Sequence, residues 1–358
     1  MKKTFMKVVV AALVGVAMVC SCSEKGKAVT NTKITEGDKS KMDTLSYCLG
    51  ANMGGEMKFQ LAGIDINLNV AGIAFKEAIT GVVAQPHEEA LEILQEFFTK
   101  TYGERAKAHQ EALQADSTAV FKAFANDDEC AKISYAIGND MGTNIGKTKL
   151  ALQYYWFWEG FEGGWNGESK LDKEQIMGYL NHYFMVVLPK EAADRSAKWV
   201  AKQAKQRGAK TTESGLVYKV INAGDMSKAA KNDEDVVKVH YIGKLQDGTV
   251  FDTSRFEYRS EEQKEMIRKY QPNLFDEKGN YIQEDEPIEF PLNRVIKGWT
   301  EGMKLVGPGG KIVLYIPADL AYGRSGAGQM IGPNEALEFK VELHDVKTKA
   351  QASAGAMI

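Results

Sequence analysis

Val239-His240-Tyr241-Ile242-Gly243-Lys244-Leu245-Gln246-Asp247-Gly248-Thr249-Val250-Phe251-Asp252-Thr253-Ser254 is followed, in this 358-residue chain, by Val295-Ile296-Lys297-Gly298-Trp299 and then Ala321-Tyr322-Gly323. Around these segments, Val217 to Ile221, Val236 to Tyr241, Lys311 to Ile316 and Leu337 to Leu343 are short runs rich in β-branched and aromatic residues, and read as strands. Pro291 to Met303 is the one short helical candidate among them, with Gly298 tolerated inside it. The pattern predicts an antiparallel sheet wrapped on a short helix.

The three segments, in this order and closed by Phe339-Lys340-Val341-Glu342-Leu343, resemble the FKBP family, the macrolide-binding peptidyl-prolyl isomerases. The resemblance covers roughly residues 209 to 347. It implies turnover without nucleophile, metal or cofactor, because the barrier of about 18–20 kcal/mol to turning an X-Pro bond comes from amide resonance alone. An apolar pocket disfavours the charge-separated planar imide, and hydrogen bonds that fit only the twisted bond stabilise the transition state. On the same resemblance Trp299 is the pocket floor, and Tyr241, Phe251, Val295, Ile296 and Phe339 are its walls, with Ile288 and Phe290 on the strand beside them. Asp252 faces the pocket next to Tyr241, the Tyr322 hydroxyl donates to a substrate carbonyl, and the Ile331 backbone N–H binds another. The expected partners are proline-containing segments of unfolded or exported proteins, and the resemblance also allows a macrolide ligand. The alternative is a chaperone that grips such segments without turning them over.

The chain departs from the family's pattern in three places. Ile288 stands where an aromatic residue is frequent, and Gly332 precedes Pro333 where many members carry a second proline, which loosens that loop. The largest departure is an insertion at about residues 256–286. Within it Ser260 to Tyr270 reads as a capped helix and Asp276 to Asn280 as a turn. Placed beside the pocket, the insertion either selects substrates or obstructs the site.

The start of the chain reads as an export signal over residues 1–21: Lys2, Lys3 and Lys7 precede an apolar run from Val8 to Val19 that is too short to span a bilayer. The run ends Val19-Cys20-Ser21-Cys22, which looks like a bacterial lipobox. Cys22 is therefore the expected lipid anchor, with Cys20 the alternative, and the expected location is the cell envelope, on the outer membrane facing the periplasm or the cell surface. Residues 22–41 are polar and Lys-rich and read as a flexible tether. Removing residues 1–21 takes three lysines and no acid, so the net charge moves from −3 to −6. That balance argues against nucleic acid and against anionic lipid as partners, leaving the lipid anchor as the membrane contact.

The region between is one helical unit written twice. Leu45-Ser46-Tyr47-Cys48-Leu49-Gly50-Ala51-Asn52-Met53-Gly54 recurs as Ile133-Ser134-Tyr135-Ala136-Ile137-Gly138-Asn139-Asp140-Met141-Gly142, and Gly72-Ile73 is answered by Gly160-Phe161 at the same spacing. The copies are taken as residues 42–125 and 126–208, the second including a connecting helix from Ala192 to Arg207 that restarts at Pro189 and stops at Gly208. Ser46, Gly50 and Gly54, like Ser134, Gly138 and Gly142, share one helical face, which predicts close helix approach. Tyr154, Trp158, Phe161 and Trp165 form an aromatic stripe read as core rather than ligand box. Each copy resembles the helical N-terminal region of macrophage-infectivity-potentiator-type FKBPs, which dimerises. With two copies in one chain, either an intrachain pair or a homodimer follows. Cys48 and Cys130 read as buried free thiols, and a disulfide between them, which an exported protein permits, is the alternative.

The fold class is thus α+β, all-helical first and FKBP-like over 209–348, ending in a tail at 349–358. Other chemistries find no support. Gly323-Arg324-Ser325-Gly326 is no nucleophile elbow, Gly326 to Gly332 lacks dinucleotide-binding spacing, and the five histidines show no metal-ligand spacing.

Overall fold

The first copy of the repeat becomes α1 (Thr44–Gln60), α2 (Leu68–Thr80), α3 (His87–Glu96) and α4 (Tyr102–Ala115), and the second becomes α5 (Asp127–Lys147), α6 (Tyr154–Asn166) and α7 (Lys173–His182). Asp43, Asn67, Asn126 and Asp172 each accept a backbone N–H at a helix start, and Gly81 and Gly167 end α2 and α6 in the left-handed conformation. In each copy the third helix runs into one π-turn, at Phe97–Thr101 and Tyr183–Val187. The computed structural model describes residues 33–351 except 83, 149 and 329, and forms two compact units, 1–185 and 186–358. Cys20, Cys22 and the signal segment lie outside the described residues.

The two copies are interlaced. Helix α1 lies against α6 and α7 of the other copy, and α5 lies against α2 and α3. The repeated serines bind this exchange symmetrically: the amide of Asn67, at the start of α2, donates to Ser134 Oγ at 2.8 Å, and the amide of Gln153, at the start of α6, donates to Ser46 Oγ at 2.7 Å. Both serines are fully buried. Glycine is required on the shared face because a Cβ at Gly50 would stand 1.9 Å from the Phe157 carbonyl oxygen, and one at Gly138 would stand 2.1 Å from that of Ala71. The cost of about 1 kcal/mol per helical glycine is thereby offset by backbone-to-backbone contact. The aromatic stripe is core: Trp158, Phe161 and Trp165 are buried, and the Phe75 ring stacks on Phe157 at 4.8 Å. Cys48 and Cys130 are free thiols, and burial pushes Cys48 up to about 11.

Two expectations are corrected here. The tether was expected to stay unfolded to Lys41, yet β1 (Ile34–Thr35) pairs with β2 (Leu152–Gln153), and Trp156 Nε1 donates to the Asp38 carbonyl at 2.8 Å. A polar strand can dock where its backbone groups find partners, which composition does not report. The connecting helix α8 (Leu188–Ala204), placed with the second copy, belongs to the sheet unit: its Trp199 ring meets Tyr315 edge-on at 5.6 Å.

The sheet unit contains β3 (Lys210–Thr211), β4 (Val217–Asn222), β5 (Val236–Lys244), β6 (Val250–Thr253), β7 (Ile288–Pro291), β8 (Lys311–Ile316) and β9 (Leu337–Lys347). The strands lie antiparallel in the order β3-β4-β8-β9-β5-β6, with β7 also on β5. Strand β6 pairs with residues 242–244 of β5 and β7 with residues 236–239, so the two are halves of one edge, parted by the insertion. That insertion carries α9 (Glu261–Tyr270), opened by the Ser260–Gln263 capping box, and the Asp276–Asn280 turn, both as the sequence predicts. The short helix α10 (Lys297–Gly302) closes onto β8, where a Cβ at Gly298 would stand 2.4 Å from Ile316. Val237, Val239, Leu314, Leu337, Val341 and Leu343 fill the space between sheet and helix.

Candidate active site

Alternation along β5 and β9 turns Tyr241 and Phe339 to the same side as the core valines and leucines, while α10 brings Trp299 up from the opposite direction. The result is an aromatic box. The Trp299 ring lies edge-to-face with Tyr241 at 5.4 Å, Phe339 at 5.2 Å and Phe290 at 5.7 Å, and Phe251 meets Phe339 at right angles at 5.5 Å. Trp299 is 4% exposed, and its Nε1 is buried with no hydrogen-bond partner among the described residues. Val295 and Ile296 are half-buried against the same core.

The polar rim is compact. Tyr241 donates its hydroxyl to Asp252 Oδ2 at 2.6 Å. Burial, and then the Asp252 hydrogen bond, hold the Tyr241 hydroxyl well above the usual phenol range, so it stays a donor. Tyr322 has its hydroxyl held above the usual phenol range by burial and then by the Asp252 charge. It is 40% exposed and so open to a substrate. Among the described residues no cluster of histidine, cysteine and carboxylate could hold a metal.

Not every expected residue stands as read. The Ile331 N–H, expected to bind a substrate carbonyl, donates instead to the Ala327 carbonyl at 3.2 Å, and the Ala327 N–H returns to Ile331 at 2.9 Å. This bridge engages the amide within the loop, and the Ile331 side chain is buried in the core of the sheet unit. Ile288 stands at the start of β7 opposite Val239, on the same face as Phe290, and is 37% exposed.

Several supporting residues went unrecognised. Gly243 makes room for the box, since a Cβ there would stand 2.8 Å from the rings of both Phe251 and Phe339. Ser254 Oγ accepts the Tyr241 N–H at 2.9 Å and meets His240 Nδ1 at 3.0 Å, and Thr253 Oγ1 donates to the Tyr241 carbonyl at 2.9 Å. These lie inside the opening motif, where their presence was the available signal. Ser196 of α8 had none. Its hydroxyl donates to the Asn334 carbonyl at 2.5 Å and accepts from the Ala336 amide at 3.1 Å and Gln246 Nε2 at 2.6 Å, tying down the loop that carries Tyr322. His240 is a satisfied core histidine, held below its usual value by burial and then by Arg255 and His344.

Residues 227–344 match the model of the FKBP-type peptidyl-prolyl cis-trans isomerase domain, and residues 42–131 and 130–220 each match that of the domain amino-terminal to it. The chain is 36% identical over 266 residues to the FKBP-type peptidyl-prolyl cis-trans isomerase FkpA of Escherichia coli, covering 70% of this chain and 86% of that one. It is 33% identical over 230 residues to the outer membrane protein MIP of Legionella longbeachae, covering 61% and 86%. The crystal structure of FkpA from Escherichia coli aligns at 36% identity over 53% of this chain and 80% of that one, with a TM-score of 0.35. With a helical amino-terminal domain written twice and an aromatic box in its sheet unit, the chain belongs to the FKBP-type peptidyl-prolyl cis-trans isomerases.

Proposed function

We propose that the protein speeds X-Pro isomerisation in the folding of exported proteins by seating the prolyl ring on the Trp299 indole inside the Tyr241, Phe251, Phe290 and Phe339 box. The observation that carries this is the set of three rings packed edge-to-face around one buried tryptophan, with Phe251 edge-on to Phe339 and a hydrogen-bonded carboxylate beside Tyr241. Removal of the imide from water disfavours its planar, charge-separated form. Asp252, held by Tyr241, stands where it can favour the polarised twisted amide, and the Tyr322 hydroxyl donates to a carbonyl next to the proline. With the Ile331 amide engaged elsewhere, the role of rim donor passes to Tyr322. Cys22 anchors the protein to the envelope by lipid, and the interlaced repeats let one chain act as a monomer, doing internally what two single-copy chains do together.

Turnover of a proline tetrapeptide by the full chain tests the pocket. Asp252→Leu and Tyr322→Phe should each lower kcat/KM several-fold, and Trp299→Leu should chiefly raise KM. Unchanged rates in all three would remove the assignment. An unaltered protein that suppresses aggregation of unfolded chains but turns over no peptide would instead establish the gripping chaperone.

A further inference from the structure

The insertion at 256–286 is a small folded body rooted beside the pocket. Its two ends leave the edge of β5 on either side of His240: Ser254 N–H donates to the Tyr241 carbonyl at 3.1 Å, and Ile288 pairs with Val239. The Asp285 carboxylate closes the neck by accepting the Phe256 N–H at 3.0 and 3.1 Å. Above the neck Phe256 stacks on Tyr281 at 3.9 Å, Phe275 packs against both, and Lys264 and Arg268 of α9 reach over Phe256 and Phe275. One side of α9 is thereby spent on this core.

The other side is not. Met266 and Tyr270, four apart and so neighbours on one helical face, are 55% and 66% exposed, and Tyr258 and Ile282 of the same body are 41% and 62% exposed. Large apolar side chains grouped on a built body mark a binding surface. The chain that leaves this body runs straight into the pocket wall, because Ile288, at the exit of the insertion, is 37% exposed and shares the face of β7 with the box residue Phe290. The Arg259 charge acts on both the Tyr241 and the Tyr281 hydroxyls, which places the insertion within electrostatic reach of the pocket rim. Residues 256–286 hold nine acidic and five basic side chains, a net charge of −4.

We propose that the insertion is a substrate ledge: Met266, Tyr270, Tyr258 and Ile282 bind apolar side chains of the same unfolded polypeptide whose proline occupies the aromatic box. The acidic surround selects segments whose flanks are basic rather than acidic. A ten-residue helix is about 15 Å long and extended chain advances ~3.3 Å per residue, so about five residues beyond the proline are needed to cover the ledge. A tetrapeptide is therefore too short to sense it. This assignment rests on the pocket reading above.

The test uses the full chain with three peptides sharing one Ala-Ala-Pro-Phe core: the bare tetrapeptide, the core extended by about five residues on each side with leucine and phenylalanine, and the same extension with serine and glycine. Exchange spectroscopy reads kcat/KM for each. The unaltered protein should favour the apolar extension about tenfold, the worth of roughly one partly buried leucine. The triple variant Met266→Ser, Tyr270→Ser, Ile282→Ser should lose that preference and keep tetrapeptide turnover within about twofold. Equal turnover of the two long peptides by the unaltered protein, or a preference that survives in the variant, overturns the ledge. A variant that loses tetrapeptide turnover as well overturns it too, because the insertion then only holds the pocket's shape. Absence of tetrapeptide turnover in the unaltered protein is a different failure, that of the pocket reading.

Discussion

The helical unit and the sheet unit both depend on glycines that face something closer than a methyl group allows, and the two sets do opposite work. At Gly50 the neighbour is a carbonyl oxygen of another helix, and at Gly243 it is a pair of aromatic rings. Backbone cannot retreat without unpacking the helices, whereas a ring can rotate at modest cost. Glycine therefore holds structure in the first unit and shape of a pocket in the second. The same residue type is a stability determinant in one place and an activity determinant in the other.

Gly50→Val should give the largest effect, a loss of at least about 4 kcal/mol from the melting of the helical unit, because the added carbons meet the Phe157 carbonyl. Tetrapeptide turnover should change little, and loss of both together would break the comparison. The unaltered protein lacking residues 1–22 should sediment as a monomer beforehand; a stable dimer would move the interlaced pairing between chains.

Ser196→Ala should come next. It leaves the Asn334 carbonyl, the Ala336 amide and Gln246 without their shared partner in a buried place, which costs the sheet unit roughly 1–3 kcal/mol. Thermal melting would register it, and an unchanged midpoint would detach α8 from the loop it is read to support. A fragment beginning at residue 186 should accordingly melt higher than one beginning at 209.

Gly243→Ala should be the smallest in stability and the most telling for activity. Its methyl group presses on Phe251 and Phe339, which can give by rotating into the box, so kcat/KM should fall several-fold while the melting point moves by no more than that of an ordinary core substitution. If stability falls instead and activity holds, the contrast between the two glycine sets is wrong.

Most of the pocket was legible through the family resemblance because Tyr241, Phe251, Asp252, Val295, Ile296, Trp299 and Tyr322 lie in three short segments, with Phe290 and Phe339 added from two further strands. Val239 to Ser254 encodes a strand, a turn and a returning strand, and Trp299 follows a helix start at Ile296. The insertion was legible locally: the Ser260–Gln263 box and the Asp276 turn are satisfied by residues within four positions. The Ile331 amide was misread because its partner, Ala327, is chosen by the path of an irregular loop. Ser196 was invisible, a lone serine in an Ala- and Lys-rich helix whose three partners lie at least 50 residues away.

By itself, then, the chain's sequence determined that there would be two copies of one helical unit and a sheet wrapped on a short helix, since periodicity, caps and turns act over a few residues, while the aromatic pocket and Asp252 beside it were implied by the family resemblance. Only the tertiary structure decided that α1 takes α6 and leaves α2 to α5, that residues 34–41 dock on the second copy, and that α8 belongs with the sheet. Those choices depend on which backbones can approach within van der Waals contact and which distant polar groups find partners, and neither distance is written in neighbouring residues.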